Sequence, residues 1–396
     1  MKILVVCQHY WPEPYPLTET CEELARRGHE VHVVTDIPNY PAGDIYPGYI
    51  LKGYQTEERN GVIIHRTFTI PRKTNPLFRV MNYYSYSLSS TNFVKSLPGD
   101  FDVVFTNQTS PIMMVRAAMA YGKKWNKKVL LYCMDLWPAS LSAGGVSGGS
   151  VYNHYLKVSR KLYGQADEIL ITSKGFQDYL TDVIGIEKEK IDYLPQYAGD
   201  EFTQIKTDKN KKTVDLMFAG NVGRAQSIDT VLKAAKVLQD KGNDVIKFHI
   251  LGDGSELENL KNMANELELN SITFYGRRPK EEMPEFYGKA DALLLMLMKD
   301  ETISRTLPGK AQSYMAAGKP IIAAANGEIK RVMEEADCGY CVPAEDYGAF
   351  ADAMEQFANN PDKDRLGNNS LRYCKEHFSK KKIIDQLEKK LKELAK

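Results

Sequence analysis

Short apolar runs alternate with helix-type spacing along the first half of the chain. The apolar runs are residues 2–6, 31–35, 62–70, 103–106, 129–132 and 168–172. Between the first two runs, Leu17, Cys21 and Leu24 follow a helical repeat, and Gly28 closes the predicted helix. Because parallel strands are buried on both faces and joined by helices, this alternation predicts an α/β fold with a doubly wound parallel sheet.

The second half of the chain repeats this alternation. Its apolar runs are residues 214–219, 245–251, 272–275, 292–296, 320–324 and 340–342. We therefore predict two Rossmann-like domains, residues 1–198 and 199–378, with the lysine-rich stretch 206–212 as a linker. Ligands of open parallel sheets bind beyond the carboxyl ends of the strands, so we expect the site in a cleft that both domains face. Residues 379–396 form a predicted amphipathic helix that can dock on either domain.

Length and composition narrow the protein class. A chain of 396 residues suits two domains, because one hydrophobic core stops growing at roughly 250 to 300 residues. A formal net charge of +1 predicts no nucleic-acid surface, since polyanion binders need a surplus of Lys and Arg. The chain lacks a run of about 18 apolar residues, and its apolar start resembles a first strand, so we expect neither a membrane span nor an export signal. We interpret the six scattered cysteines as reduced thiols. Because thiols stay reduced in the cytosol, this predicts a cytoplasmic protein.

A glycine-containing loop follows the predicted strand 214–219 and precedes a helix that we expect to begin at Ser227. The loop contains Gly220, Asn221, Gly223, Arg224 and Gln226. Glycines let a backbone approach an anion, and the free N–H groups of a helix start attract phosphate. The loop therefore predicts a phosphate site to which Arg224 adds a charge-assisted contact. The alternative is a tight turn with a solvated arginine.

The start of the predicted helix 311–317 is a second candidate phosphate site. Pro308 suits a helix start, and Lys310 then stands in the first turn. A cation is poorly placed at the positive end of a helix dipole, so this lysine predicts an anion nearby, against the alternative of an exposed lysine. Arg305 can neutralise the same anion or pair with Glu301.

Gly252 and Arg277 follow two further predicted strands. Gly252 lies in residues 251–255, which match a dinucleotide fingerprint only in part, so we predict a backbone turn that lines the cleft. Arg277 follows the apolar run 272–275, and we count it among the anion-binding residues.

Two other patterns suggest chemistry that we do not favour. Cys338 and Cys341 have the spacing of a redox pair, but such a pair opens a helix, whereas Cys341 lies in the predicted strand 340–342. We predict a structural role for both, with a thiol oxidoreductase as the rival. Asp362 and Asp364 lie at a polar helix start, and we predict no metal ligand there or elsewhere.

The first half offers an acidic residue and a possible membrane surface. Asp135 follows the strand that ends at Cys133, so we expect it to project into the cleft, unless it only closes the strand as a turn residue. Aromatic and apolar residues also lie beside Arg72, Lys73, Arg79 and Lys95; they are Phe78, Met81, Tyr83, Tyr84, Tyr86, Leu88 and Phe93. This stretch either rests on an anionic membrane surface or packs in the core with solvated charges.

Several ordered motifs resemble glycosyltransferase family 4, the retaining GT-B enzymes. The matching segments are residues 10–13, 24–31, 35–41, 135–138, 220–226, 308–310 and 314–320. The resemblance spans residues 1–378 and looks like the subgroup that contains fucosamine-type transferases of O-antigen and capsule assembly. It implies a GT-B fold and a sugar transfer from a UDP-linked donor to an acceptor hydroxyl, with retention of the anomeric configuration.

The resemblance also implies roles for the candidate residues. Lys310 and Arg224 would stabilise the leaving diphosphate, which a metal ion does in other transferases, so no metal or other cofactor is expected. Asp135 would orient or deprotonate the acceptor in the first domain. The donor-binding set in the second domain is Gly220, Asn221, Gly223, Gln226, Gly252, Arg277, Glu301, Arg305 and Ser313.

The chain departs from the usual family pattern at three places. Arg305 and Ser313 stand where the family usually carries two glutamates, which leaves Ser313 to bond the ribose. Asn221 and Gln226 stand where an arginine and a lysine often hold the phosphates, so we expect other cations to meet the donor charge. Residues 14–17 replace the paired glycines of the first loop.

The residues and the resemblance together predict a cytoplasmic glycosyltransferase, with the cytoplasmic face of the membrane as an open alternative; the resemblance alone implies retention. We expect it to move an N-acetylated hexosamine or a 6-deoxyhexosamine from a UDP-sugar to a lipid-linked saccharide or another saccharide acceptor. Two alternatives remain at this point: a nucleotide-sugar epimerase of GT-B-like fold, and a non-catalytic nucleotide-sugar binder.

Overall fold

The computed structural model describes residues 1–41, 43–51, 53–73, 75–144, 148–202, 205 and 211–396. They divide into two compact units. Met1–Leu194 and Ile384–Lys396 form the first unit, and Pro195–Ile383 forms the second. Residues 206–210 of the expected linker lie outside the described residues.

The first unit is built on one sheet. Its strands are β1 Lys2–Val6, β2 Glu30–Asp36, β3 Gln55–Arg59, β4 Val62–Thr67, β5 Val103–Gln108, β6 Val129–Cys133, β7 Glu168–Ile171 and β8 Ile191–Tyr193. Their order in the sheet is β3-β4-β2-β1-β5-β6-β7-β8. Neighbours pair in parallel except β3, which is antiparallel to β4. The strand predicted to reach residue 70 ends at Thr67, because Ile70 N donates to Ser85 Oγ at 2.9 Å and the chain turns toward the next helix.

The sequence pattern did not predict β3 and β8. β3 has no apolar residue, and it occupies one edge of the sheet, where charged side chains discourage pairing with another chain. β8 is only three residues long and occupies the other edge. Both strands lack the buried apolar run by which the central strands were predicted.

Helices cover this sheet, and one of them has two distinct faces. The helices are α1 Leu17–Arg26, α2 Pro76–Ser96, α3 Arg116–Trp125 and α4 Gly149–Tyr163. In α2, Tyr86 and Val94 are fully buried, and Tyr86 OH donates to Cys7 O at 2.7 Å. Leu77 and Leu88 lie on the opposite face of α2, and their exposed fractions are 62% and 50%. Core packing thus applies to the buried face of α2, and the membrane surface stays a prediction for the exposed face.

The second unit is a smaller sheet of the same kind. Its strands are β9 Val214–Ala219, β10 Ile246–Leu251, β11 Ile272–Gly276, β12 Ala292–Met296, β13 Ile321–Ala324 and β14 Gly339–Val342. All pair in parallel, in the order β11-β10-β9-β12-β13-β14. Its helices are α5 Asp229–Asp240, α6 Leu257–Glu266, α7 Met283–Lys289, α8 Glu301–Ser304, α9 Gly309–Ala316, α10 Glu328–Ala336, α11 Tyr347–Asn359 and α12 Lys363–His377. The predicted fold class, two doubly wound parallel-sheet units, is confirmed.

The last helix, α13 Lys380–Leu394, returns to the first unit. Its buried side includes Leu387 and Leu391. Arg27 Nη1 lies 2.7 Å from Glu388 Oε2, and Lys390 Nζ lies 2.5 Å from Glu168 Oε1. These charge pairs flank the apolar stripe that α13 buries against the first unit. Among the described residues, none of the helices combines the length and the apolar composition that crossing a membrane requires.

Candidate active site

The loops that follow β9, β10, β12 and β13 emerge at one edge of the second sheet. These four strands run in parallel, so their carboxyl ends lie side by side. The loops begin at Gly220, Gly252, Leu297 and Ala325. This edge is where open parallel sheets bind ligands.

Gly220 and Gly252 let two of these loops approach each other closely. Gly220 has φ +147° and its N–H donates to Leu251 O at 2.9 Å. Gly252 has φ +140°, and a Cβ there would lie 1.8 Å from Gly220 O. A Cβ on Gly254 would lie 2.4 Å from Val222 O. Only glycine fits at residues 252 and 254, and the predicted backbone role of Gly252 agrees with this contact.

The loop after β9 does not run directly into a helix. Arg224–Gln226 form a short 3₁₀ turn, Ser227 has φ +44°, and α5 begins at Asp229. The expected helix start at Ser227 was therefore wrong. Ser227 Oγ lies 3.2 Å from Asp229 Oδ1, a local hydrogen bond that favours a turn over a helix. Arg224 and Asn221 are exposed at the surface of this loop.

Lys310 joins α9 to the loop after β9. The helix begins at Gly309, two residues earlier than expected, so Lys310 stands in its first turn. Its Nζ donates to Gln226 Oε1 and lies 4.2 Å from the centre of the buried Phe218 ring. The same Nζ would lie 3.4 Å from a Cβ on Gly220. We call Phe218, Gly220, Gln226 and Lys310 the lysine cluster.

Tyr314 fixes the position of this cluster. It follows Lys310 by one helical turn, and it is fully buried. Tyr314 OH donates to Ala219 O at 3.0 Å and accepts from Ala219 N at 3.0 Å. Because Ala219 is the last residue of β9, α9 is bonded to the end of the strand that carries the glycine loop.

The lysine cluster is suited to an anion. Burial lowers the pKa of the Lys310 ammonium to about 7. Among the described residues, its polar partner is the neutral Gln226, and no carboxylate forms an ion pair with it. A desolvated cation without a counter-ion, next to backbone that can approach closely, binds a phosphate more favourably than an exposed lysine does.

Asp135 lies at the corresponding edge of the first sheet. Its Oδ2 accepts from Ser110 Oγ, and Ser110 Oγ lies 2.9 Å from Ser140 Oγ. Its backbone oxygen accepts from Gln108 Nε2 at 3.0 Å. Burial raises the pKa of the Asp135 carboxyl, and the Ser110 hydroxyl acts in the opposite direction. The Asp135 carboxyl is thus held by the Ser110 and Ser140 hydroxyls and by the backbone at Leu136.

Two family models match the chain almost end to end. The model for Glycosyltransferase Family 4 matches residues 17–196, and the model for Glycosyl transferases group 1 matches residues 200–372. The chain belongs to glycosyltransferase family 4. It is an enzyme of the GT-B fold, and we refer to it below as the transferase.

Relatives and solved structures agree with this assignment. The transferase is 25% identical to WcaI of Escherichia coli K12, named as a colanic acid biosynthesis glycosyl transferase, over 90% of this chain and 92% of that protein. It shares its fold with the sucrose-phosphate synthase of Thermosynechococcus elongatus, with a TM-score of 0.77, 16% identity and coverage of 99% and 98%. HepE of Anabaena in complex with UDP gives a TM-score of 0.73, with 13% identity and coverage of 99% and 100%.

Of the remaining predicted donor residues of the transferase, Asn221 and Gly223 lie in the loop after β9. Arg305 Nη2 lies 2.6 Å from Glu301 Oε1, so the structure adopts the second of the two expected roles of Arg305. Ser313 is part-buried on α9, and Arg277 is exposed just after β11. Gly220, Gln226, Gly252 and Lys310 are the predicted residues that the structure brings together.

The sequence pattern did not predict one close contact at this edge, the contact of Gly327 with α8. A Cβ on Gly327, which has φ +69°, would lie 2.1 Å from Ser304 O, so the turn before α10 packs directly on α8. A glycine between strand 320–324 and a helix was the available signal, the same pattern that predicted the loop at Gly220.

The cysteine pair does not form a redox site in the transferase. Cys341 lies in β14, as predicted, and both residues are free thiols. Burial raises the pKa of Cys338 to about 12 and that of Cys341 to about 11. Thiols with such pKa values are poor nucleophiles near neutral pH, which removes the physical basis of the oxidoreductase hypothesis.

A buried group in the first unit has the residue types of a metal site. The potential ligand atoms of His9, Glu13 and Asp36 lie within 4.8 Å of one another. However, Glu13 Oε1 already accepts from Asn39 N and Tyr40 N, both at 2.7 Å. Burial, together with the nearby Glu13, raises the pKa of Asp36, and a carboxyl that resists ionisation is a weak cation ligand. The group serves as a junction between the loops after β1 and β2.

The lowered pKa of Lys310 predicts a pH dependence. The ammonium form exists below about pH 7 in the free enzyme, so kcat/KM for the donor should fall as the pH rises through about 7. Lys310→Arg, whose guanidinium stays charged, should move this fall to higher pH. Initial rates at low donor concentration between pH 5.5 and 9 measure both profiles, and identical profiles would contradict the role of Lys310.

Proposed function

We propose that the transferase moves a sugar from a UDP-sugar to a hydroxyl of a lipid-linked saccharide in cell-surface polysaccharide synthesis. The observation that carries this proposal is the lysine cluster, a desolvated cation beside close-packed glycine backbone at the carboxyl edge of the second sheet. The glycine loop and the first turn of α9 would hold the diphosphate between them. The complex of HepE with UDP supports UDP as the nucleotide, because HepE has the same fold.

The cluster would act on the leaving group. As the bond from the anomeric carbon to the diphosphate breaks, the electron pair and its negative charge go to UDP. Lys310, with Arg224 from the exposed loop, would stabilise this charge better in the transition state than in the ground state. Gln226 would orient the ammonium through the hydrogen bond that it already makes.

Asp135 would serve the acceptor. Ser110 holds the carboxylate through Oδ2, and the carboxylate would also accept from the attacking hydroxyl. The acceptor oxygen forms the new bond to the anomeric carbon, and its proton goes to Asp135 or to the departing phosphate oxygen. The raised pKa of Asp135 suits a group that orients this hydroxyl or receives its proton.

The exposed face of α2 supports a lipid-linked acceptor. Leu77, Val80, Met81 and Leu88 are apolar, exposed and on one side of the helix. Lys73 and Arg79 are exposed at the start of the same helix. An apolar stripe bordered by cations matches the surface of an anionic bilayer, so we place the transferase at the cytoplasmic face of the membrane. The name of WcaI supports a role in polysaccharide assembly.

The donated sugar is proposed as an N-acetylated hexosamine or a 6-deoxyhexosamine, transferred with retention, as the family resemblance implies. The test is a panel of UDP-sugars screened by thermal shift, followed by transfer to a lipid-linked acceptor and NMR of the product anomer. Protection by UDP and its donor, with an acceptor-dependent product, is the expected result. Donor converted without any acceptor would indicate an epimerase, and protection without turnover would indicate a binder.

We expect transfer to be independent of divalent metal, because Lys310 and Arg224 take the place of a cation at the diphosphate. Transfer measured in EDTA should stay within about two-fold of transfer measured without it. The rate after adding Mn²⁺ back is the control. A rate that collapses in EDTA and returns with Mn²⁺ would contradict metal independence.

A further inference from the structure

Tyr15, Tyr40, Tyr83 and Arg72 form a cluster at the carboxyl edge of the first sheet, which we call the tyrosine-arginine cluster. Tyr15, Tyr40 and Arg72 come from the loops after β1, β2 and β4, which are neighbours in the sheet, and Tyr83 comes from α2. The ring centres of Tyr15 and Tyr40 lie 5.8 Å apart. The Arg72 guanidinium lies 5.5 Å from the Tyr40 ring and 5.7 Å from the Tyr83 ring. All four side chains are part-exposed.

A buried carboxylate fixes the tyrosines from below. Glu13 is buried, and its Oε2 lies 2.7 Å from His9 Nδ1 while its Oε1 accepts from the N–H groups of Asn39 and Tyr40. The His9 ring stacks on Tyr15 at 5.1 Å with an interplanar angle of 8°. Glu13 therefore holds the loop of Tyr15 and the loop of Tyr40 in one arrangement.

The backbone fixes the position of Arg72. Arg72 N donates to Asn39 Oδ1 at 2.9 Å, and a Cβ on Gly43 would lie 2.1 Å from Arg72 O. Within the described part of the chain, its guanidinium forms no salt bridge, whereas Arg66, another arginine near this edge, pairs with Glu57. Arg72 is thus a pre-positioned cation with aromatic neighbours, and among the described residues its guanidinium has no ion-pair partner.

We propose that the tyrosine-arginine cluster is the acceptor subsite and that it takes a phosphorylated saccharide. The tyrosine faces would pack on the sugar ring, and the planar guanidinium would bind the phosphate through paired hydrogen bonds. This inference rests on the proposed function, because it names the acceptor chemistry of the same reaction. In this proposal, the transferase recognises the phosphate that joins the sugar to the lipid.

The position of Arg72 fits this chemistry. Four residues after Arg72, α2 begins at Pro76, and its exposed apolar stripe starts at Leu77. In a lipid-linked saccharide the phosphate lies between the sugar and the apolar chain. Arg72 therefore lies at the junction between the sheet edge that carries Tyr15 and Tyr40 and the helix that carries the apolar stripe.

The test measures binding of N-acetylglucosamine 1-phosphate and of plain N-acetylglucosamine to the full chain by calorimetry. Saturating UDP fills the donor site, so that the sugar phosphate cannot bind there. The sugar phosphate should bind at least about ten-fold more tightly than the plain sugar. Arg72→Gln should weaken sugar-phosphate binding by about 10- to 100-fold, the effect of losing a charge-assisted pair of hydrogen bonds.

The neighbouring lysine provides a matched control. Lys73 is exposed, and its Nζ lies 5.3 Å from the Phe78 ring, so Lys73→Gln makes the same change of charge one residue away. It should leave sugar-phosphate binding within about two-fold. Tyr15→Phe should retain binding, and Tyr15→Ala should weaken it. Equal binding by Arg72→Gln and the wild type, or no sugar-phosphate binding by the wild type, would overturn the proposal.

A second arm separates a saccharide phosphate from a lipid headgroup. In sedimentation with vesicles of phosphatidylglycerol and phosphatidylcholine, Arg72→Gln should lose no more binding than Lys73→Gln does. A much larger loss for Arg72→Gln, with intact sugar-phosphate binding, would assign Arg72 to the membrane and overturn the proposal. Protection by UDP against thermal unfolding is measured separately. Its absence would reject the donor function, whatever the result for Arg72→Gln.

Discussion

Lys310→Ala is expected to lower kcat/KM for sugar transfer by about 10²- to 10³-fold, while the protein stays folded. The ammonium is the cation that the structure places against the glycine loop, and alanine leaves the diphosphate without it. Burial lowers the pKa of Lys310, so charging it in the folded state costs free energy. We therefore expect no loss of thermal stability when it is removed. Initial rates and a thermal melt measure the two effects.

Lys330→Ala is the matched control for this variant. Lys330 is an exposed lysine of the same unit, 3.8 Å from Glu334 Oε1, and its loss should leave transfer unchanged. Lys310→Arg should retain part of the activity, because the charge remains. Near-normal transfer by Lys310→Ala would remove Lys310 from the mechanism and the lysine cluster from the donor site.

Gly252→Ala is expected to lower transfer by about 10²-fold or more and to lower the melting temperature. The new Cβ would lie 1.8 Å from Gly220 O and 2.9 Å from Gly220 C. Both of these are backbone atoms, which cannot rotate away as a side chain can, so the glycine loop must move. A displacement of about 1 Å at a catalytic loop can cost about 10²-fold in rate. Donor titrations and melts of the purified variant measure the result.

A variant at a second glycine distinguishes the effect of the steric clash from the effect of backbone strain. Gly242 has φ +76°, and a Cβ there would meet nothing within 4 Å. Gly242→Ala should therefore show only the cost of a left-handed alanine, roughly 1–2 kcal/mol of stability, with transfer retained. If Gly252→Ala transfers sugar as well as Gly242→Ala does, the close approach of the two loops is not needed for donor binding.

The sequence alone determined the fold class and most central strands. A short apolar run that alternates with helical patterns is typical of a buried strand, and β5 and β12 are indeed buried along their whole length. The charged edge strand β3 carried no such signal. The loop at Gly220, the first turn at Lys310 and Asp135 could also be found from the sequence, because strand, glycine and helix follow one another locally.

The tertiary structure alone decided which candidates lie together. Gln226 and Lys310 are far apart in sequence and meet because Tyr314 bonds α9 to the end of β9. Arg305 was an equal candidate for the anion but pairs with Glu301 one turn away. The cluster of Tyr15, Tyr40 and Arg72 depends on three loops from neighbouring strands. Local patterns specify a residue's own element, whereas contacts between loops depend on strand order, which no local pattern contains.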